Sequence, residues 1–483
     1  MRRMRSSTMA TSYKTFNPVS GAFLDEYPFA TAADVSRSLE GLQLGFLQWS
    51  KLTFSERQKM LRPAVGLFRL GKEELAKAIT DEMGKPYFQA LAEIDKSLDS
   101  IEYMCTAPYP ELDVKAIKTF SDTDKTSHQV YHKPKGIILG VMPWNYPFWQ
   151  AVRMVFPALL AGNTVLLKHS EVTPSTGNFM KKIFSKVDVK HIFDHLIFDH
   201  TLTETVIADR RVHGVSLTGS VKAGYLLSEY AGKHLKRGVF ELGGSDAHLV
   251  LADAQIEKTA AAIAKSRLQN TGQSCIAAKR VVVDHKVSQS LIDQLVVQFD
   301  KYVYGNVFDR KTTLGSLAHY RFKPEDEARF NFAKTFCDVV YERSPDAGLI
   351  KSLAEEPSRQ AFVPLRILKV KKMNDEFLKF IKTNEFFSPT LLVFEYATLD
   401  EGLKLVNGTN FGLGGSVYSE NLTHAHEVAA QFESGMVAIN DAVASHVMLP
   451  FGGVKSSGIG REMGLQGFTE FTDIQVITTN RLN

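Results

Sequence analysis

The 483-residue chain reads as an α/β protein with two doubly wound domains and a small β arm. Three observations predict this. From about residue 136, short buried-type strands alternate with helical stretches, the rhythm of a parallel sheet covered on both faces. The rhythm restarts after Glu241. The chain is also too long for a single hydrophobic core, so the restart marks a second domain.

Taken in order, residues 31–107 are mostly helical by periodicity: Ser55 to Leu70, Glu73 to Met83 ahead of Gly84, and Phe88 to Met104. Cys105 falls in that apolar pattern and reads as core. Gly136 to Met142 is a buried strand, followed by a helix over 148–161 with Pro157 late in it. Thr164 to Lys168 and Val212 to Leu217 are the next strands, and a helix runs from about Ser220 to Ala231. The second series has a strand at His248 to Leu251, a helix near 255–268, a strand at Arg280 to Val283 and a helix from Ser288 to about Tyr302. Residues 118–133 are polar, β-leaning and without helical period, which predicts an inserted hairpin. The last fifteen residues are β-leaning too and are expected to join that hairpin in an intersubunit sheet. The expected divisions are 1–117 with 136–243, then 244–466, and an arm of 118–135 with 467–483. The charged stretches at 316–330 and 341–372 are expected as surface insertions.

Bulk composition excludes several classes. The net charge of +4 is small for this length and Lys and Glu are interspersed, so no nucleic-acid footprint is present. No apolar run of about 18 residues predicts a membrane helix. Three distant cysteines argue against a disulfide scaffold or zinc site and for a reducing compartment, and no metal is expected. Met1 to Thr8 is basic, rich in Ser and Thr and free of acids, which fits either a short mitochondrial presequence or a disordered tail. The cytoplasm is the expected compartment, with the mitochondrion as the alternative.

The chemistry centres on Cys275, a lone cysteine in the small, polar stretch Asn270-Thr271-Gly272-Gln273-Ser274-Cys275. Glu241-Leu242-Gly243-Gly244 lies 34 residues upstream of it, and paired glycines do not suit a helix interior. Together they offer a nucleophile and a base. Pro143-Trp144-Asn145-Tyr146-Pro147 directly follows the first buried strand, at the edge where ligands bind in such sheets. Asn145 there is either a structural turn residue or an amide donor to a developing oxyanion.

Those motifs, with Lys168-His169-Ser170-Glu171, Leu217-Thr218-Gly219-Ser220, Glu385-Phe386-Phe387-Ser388-Pro389 and Pro450-Phe451-Gly452-Gly453, resemble the aldehyde dehydrogenase superfamily in order and spacing. The resemblance spans roughly residues 14–478 and looks closest to NAD-dependent succinate-semialdehyde dehydrogenases. It implies a Rossmann-like cofactor domain, a catalytic domain and an oligomerisation arm. It implies catalytic roles for Cys275 as nucleophile, Asn145 as oxyanion donor and Glu241 as base, with aldehyde oxidised to acid through a thioester. It further implies that Trp144, Lys168, Glu171, Gly219, Ser220, Leu242, Gly243, Glu385 and Phe387 hold the cofactor. Glu171 would accept from a ribose 2′-OH and repel a 2′-phosphate, which favours NAD, with NADP as the alternative. Ser388 departs from the usual Gly of its motif.

Arg153, eight residues after Asn145, matches a position where the resembled enzymes carry an arginine for the substrate carboxylate. An arginine at a subunit contact is the plainer reading. Gln269 stands where some relatives carry a second arginine, which points to a weaker grip on the carboxylate. Phe451 is expected to wall the substrate site, and the loop Asp441 to Val447 to line the tunnel, with Ser445 or His446 near a carboxylate. Tyr146 and Trp149 suit either the tunnel or the core, while His169 and His213 read as structural. The resemblance implies a small aldehyde as substrate and a homodimer or homotetramer. A broad-specificity aliphatic aldehyde dehydrogenase is the alternative, and a non-catalytic binding member a more distant one. A coenzyme A-acylating relative would lack the base that Glu241 supplies.

Overall fold

The computed structural model describes residues 11–109, 112, 115–119 and 126–480. The basic segment at Met1 to Thr8 and the tip of the expected hairpin lie outside the described residues.

A six-stranded sheet has the order Gly458–Ile459, Arg237–Glu241, Val212–Thr218, Ile137–Met142, Thr164–His169, Phe193–His195. Neighbours are parallel, except that Gly458–Ile459 runs antiparallel to Arg237–Glu241. The period-two alternation of strand side chains explains the covering on both faces. Ile137, Leu139 and Leu166 join one core cluster, with Leu39 and Leu42 of the helix Ala32–Trp49 and Leu227 of Val221–Lys233. Ile138, Met142, Val165 and Leu167 point the other way, into helices Pro63–Leu70, Lys72–Met83, Tyr87–Met104 and Pro147–Leu160. The single helix expected from Ser55 to Leu70 is two, Phe54–Leu61 and Pro63–Leu70, because Pro63 has no N–H for the preceding turn and favours a helix start.

A seven-stranded sheet has the order Cys337–Arg343, Leu365–Val370, Thr390–Tyr396, Arg280–Asp284, Ala247–Val250, Gly414–Tyr418, Met436–Ile439, parallel apart from its first pair. It is also covered on both faces: Val282, Leu392 and Leu368 enter one cluster, Val281, Val283, Leu391 and Ile367 the other.

The segments expected as surface insertions are part of this framework. Cys337–Arg343 and Leu365–Val370 are strands, and Leu365, Ile367 and Leu368 are buried. Their charge misleads because one cation is internal: the buried Arg366 guanidinium meets Asp326 at 3.5 Å, Glu327 at 3.0 Å and Glu342 at 2.9 Å, above the Phe330 ring.

In the arm, Thr126–Pro134 pairs antiparallel with Lys115–Ile117 and, along its full length, with Thr472–Asn480 of the same chain. Among the described residues, no helix is long and apolar enough to cross a membrane, and no cluster of His, Cys, Asp and Glu is placed to hold a metal ion.

The chain fills the first sheet outward from Ile137–Met142 through Thr164–His169 to Phe193–His195, then returns to place Val212–Thr218 on the other side. That reversal opens a crevice at the carboxyl ends of the strands, the usual ligand position in open α/β sheets.

Candidate active site

Four strand ends converge on the crevice. Met142 leads into Trp144 and Asn145, His169 into Ser170 and Glu171, Thr218 into Gly219 and Ser220, and Glu241 into Leu242 and Gly243. With Glu385, Phe387, Gln273 and Cys275 from the other side, they line one cavity of ≈550 Å³. All nine residues expected to hold a cofactor are on its wall, as are Asn145 and Cys275. Glu241, Arg153 and Phe451 are not among its lining residues.

The cavity suits an elongated, phosphate-bearing ligand. Ser220 caps the helix Val221–Lys233, its side chain accepting from Ala223 N, so the first turn of backbone N–H groups faces the crevice mouth. Trp144 stacks on Phe322 at 5.0 Å and meets Phe387 edge-on at 5.6 Å. A Cβ on Gly243 would stand 2.5 Å from a Glu385 oxygen, so any larger residue there would displace that carboxylate. Lys168 lies over the Phe198 ring, and burial pulls its ammonium below the usual lysine range, with Glu171 and Asp199 opposing.

The cysteine loop is held in an unusual backbone. Asn270 (φ 52°) and Thr271 (φ 54°) are left-handed without being glycine, and Gly272 follows at φ 77°. Such residues cost of order 1–3 kcal/mol each and persist only where surroundings over-determine them. The surroundings do so: Asn270 Nδ2 donates to Asn145 O (2.8 Å), Thr271 Oγ1 accepts from Gly315 N (3.1 Å), and Gln273 is bound to Asn270, Ser316 and Ala318. Lys279 donates to Ser274 O (2.6 Å) and Cys275 O and lies 3.0 Å from Glu385. Burial pushes the Cys275 thiol up to about 11, with Lys279 and Arg153 pulling the other way. The resting sulfur is therefore a neutral thiol at pH 7.

Asn145 is pinned from both ends. Its carbonyl accepts from Lys85 Nζ (2.9 Å), and its side-chain amide donates to Gln273 O (3.2 Å). Lys85 is itself ion-paired with Glu93 inside the protein, and Glu93 also accepts from the first N–H groups of the next helix, at Phe148 (3.0 Å) and Trp149 (3.1 Å). Lys85 and Glu93 were not anticipated. The signal was there: Glu93 falls on the apolar stripe Ala90, Ile94, Ser97, Leu98, Ile101, where a carboxylate needs a partner. Phe322, Glu325, Asp326 and Arg329 also line the cavity without having been singled out, and no local motif marks them.

Glu241 is buried, and neither of its oxygens has a hydrogen-bond partner among the described residues. Burial and then the Glu462 carboxylate hold it well above the usual carboxylate range, against Arg153 and Arg461. Gly452 makes room for it, because a Cβ there would lie 2.5 Å from Glu241 Oε1. Arg153 is 3 % exposed, and Nε and Nη2 both donate to Glu462, with the guanidinium over the Phe451 ring. The arginine expected to meet the substrate carboxylate thus faces a carboxylate of the protein itself. Gln269 is exposed. Trp149, Phe451, Leu413 and Met463 form one apolar cluster, against which Cys275, Tyr146 and Val447 pack. His169 bonds Pro147 O (2.9 Å) and burial lowers it to about 4, so it is a neutral structural group; Cys105 is buried core.

The aldehyde dehydrogenase family matches this chain over residues 4–477. A protein of Deinococcus radiodurans named succinate-semialdehyde dehydrogenase, NADP(+)-dependent, is 34% identical over 467 residues, covering 96% of this chain and 94% of its own. One of Escherichia coli (strain K12), named succinate semialdehyde dehydrogenase with NAD(P)+, is 33% identical and covers 98% and 99%. The crystal structure of succinic semialdehyde dehydrogenase from Streptococcus pyogenes in complex with NADP+ superposes with a TM-score of 0.88 at 30% identity, covering 96% and 99%.

Proposed function

Because this chain belongs to the aldehyde dehydrogenase family, we propose that its substrate is an anionic semialdehyde, succinate semialdehyde, oxidised to succinate through a thioester on Cys275. The chain is an NAD(P)-dependent aldehyde dehydrogenase. The observation that carries the reading is the meeting of Cys275, Asn145 and all nine cofactor-motif residues on one cavity.

The residues divide the work as follows. Cys275, once ionised, adds to the aldehyde carbon; the Asn145 amide and the Cys275 backbone N–H donate to the oxygen that becomes negative. Trp144, Lys168, Glu171, Gly219, Ser220, Leu242, Gly243, Glu385 and Phe387 hold the dinucleotide. When bound, its nicotinamide supplies the hydride acceptor. Glu241 then takes a proton from water as that water attacks the thioester, releasing the acid and restoring the thiol. Arg153 acts by holding Glu462, whose carboxylate adds to burial in raising Glu241 above the usual carboxylate range. Phe451 seats the guanidinium and walls the apolar cluster beside Cys275.

Glu171 lines the cavity beside Lys168, and its charge opposes a 2′-phosphate. Glu171→Gln is expected to raise kcat/KM for NADP relative to NAD by about tenfold, near 1.4 kcal/mol. An unmoved ratio would remove Glu171 from cofactor choice.

The substrate is tested by kcat/KM for succinate semialdehyde against butanal, which share a carbon count and differ in the charged end. We expect a preference of about 10²-fold, near 3 kcal/mol. Equal values would make this a general aldehyde dehydrogenase, a reading favoured by the pairing of Arg153 with Glu462.

The divisions 1–117 with 136–243 for the cofactor domain, 244–466 for the catalytic domain, and 118–135 with 467–483 for the arm are likewise our reading. Ile474 and Val476 leave apolar side chains 70% and 61% exposed on the arm, which supports a homodimer or homotetramer built across it. A cytoplasmic location is part of the same reading, with the mitochondrion as the alternative.

A further inference from the structure

We propose that Lys96, which lies against the Trp149 ring, is the cation that receives the substrate carboxylate. The proposal rests on the anionic-semialdehyde reading above and deepens it by naming the residue. Lys96 lies on the helix Tyr87–Met104, three residues after Glu93, on its exposed side. Its Nζ donates to Ser445 Oγ at 2.8 Å and stands 4.7 Å from the centre of the Trp149 ring. Trp149 Nε1 donates to the same Ser445 oxygen at 3.2 Å. Three distant segments thus close into one triangle: the Tyr87–Met104 helix, the Pro147–Leu160 helix and the 441–447 loop.

The triangle is joined to the chemistry through Trp149. That ring belongs to the apolar cluster against which Cys275 and Tyr146 pack, so an aldehyde extended from the sulfur along this wall reaches Trp149 and then Lys96. The charge balance of the region singles out Lys96. Lys85 is paired with Glu93, Arg153 with Glu462 and Lys279 with Glu385. Among the described residues, no carboxylate is ion-paired with Lys96; its polar contact is the Ser445 hydroxyl. An ammonium held by a ring face and one hydroxyl keeps donors for an incoming anion, and a compact point charge suits a carboxylate arriving at an exposed position. Arg153, the expected reader, already has its anion in Glu462.

The test is steady-state kinetics of the full-length enzyme on succinate semialdehyde and on butanal, comparing wild type, Lys96→Met and Lys96→Arg. A charge-assisted contact of the usual strength predicts that Lys96→Met lowers the semialdehyde-to-butanal ratio of kcat/KM by about tenfold, through KM for the anionic substrate. Lys96→Arg restores most of it, since the positive charge alone is required. A wild type without preference for the anion would overturn the substrate reading and this assignment with it. A wild-type preference that Lys96→Met leaves intact, or an equal loss on both aldehydes, would overturn the Lys96 assignment while leaving the substrate reading in place.

Discussion

Replacing Cys275 by alanine is expected to lower steady-state turnover by about 10⁶-fold, the scale of losing a covalent nucleophile. The argument comes from the sulfur's setting. Cys275 sits at the meeting of the ≈550 Å³ cavity and the apolar wall of Trp149 and Phe451, beside an amide donor fixed at both ends. Its thiol is pushed up to about 11 by burial, with Lys279 and Arg153 opposing, so the resting enzyme stores it as a neutral thiol. The rate of aldehyde capture should therefore climb with pH across the neutral range, as the reactive thiolate fraction grows. The alanine variant should still bind NAD(P), because the nine residues read as the cofactor wall do not include Cys275. Rapid mixing of this variant with aldehyde and NAD(P) should show no burst of reduced cofactor. Residual turnover within 10²-fold of wild type would mean that the reaction does not run through this thiol.

How much of this was legible in the sequence depends on distance along the chain. Most of the cavity wall was readable because Trp144, Lys168, Glu171, Gly219, Ser220, Leu242 and Gly243 lie at strand ends or in the turns after them, and a parallel sheet brings such ends to one edge. Trp144, Glu171, Ser220 and Gly243 needed only their own strands to be placed. The partners of Arg153 and Arg366 were not readable in the same way. Arg153 and Glu462 are 309 residues apart, so nothing local showed that the arginine already had an anion. Residues 341–372 looked like solvated insertions because charge normally marks surface, yet Arg366 lies inside, balanced by Asp326, Glu327 and Glu342. Lys96 gave no signal, since a lysine on the exposed side of an amphipathic helix is ordinary until the 441–447 loop is seen to rest against it. Glu93 did give one, as a carboxylate on an apolar stripe, and its consequence is the fixed position of Asn145.

Glu241→Gln should separate the two halves of the reaction. The substitution keeps the shape of a buried side chain, so capture of the aldehyde and formation of the thioester continue. The first turnover should give a burst of about one reduced cofactor per site, while the steady rate falls by about 10²–10⁴-fold for want of a base. The pH dependence follows from the direction of the shift. Burial and Glu462 raise Glu241, so the base form grows as pH rises towards the raised value, and wild-type deacylation should accelerate with pH. The glutamine variant has no such group, and its slow phase should lose that dependence. Stability runs the other way. Between the ordinary carboxylate range and the raised value, the unfolded chain gives up a proton that the folded protein retains, so wild-type stability declines as pH rises through this window. The glutamine variant lacks that decline, and its Tm should gain on wild type as pH is raised. A Glu241→Gln enzyme with an undiminished steady rate would assign the base to another group. One that lost the burst as well would mean that Glu241 acts before the thioester forms, as the acceptor of the Cys275 proton.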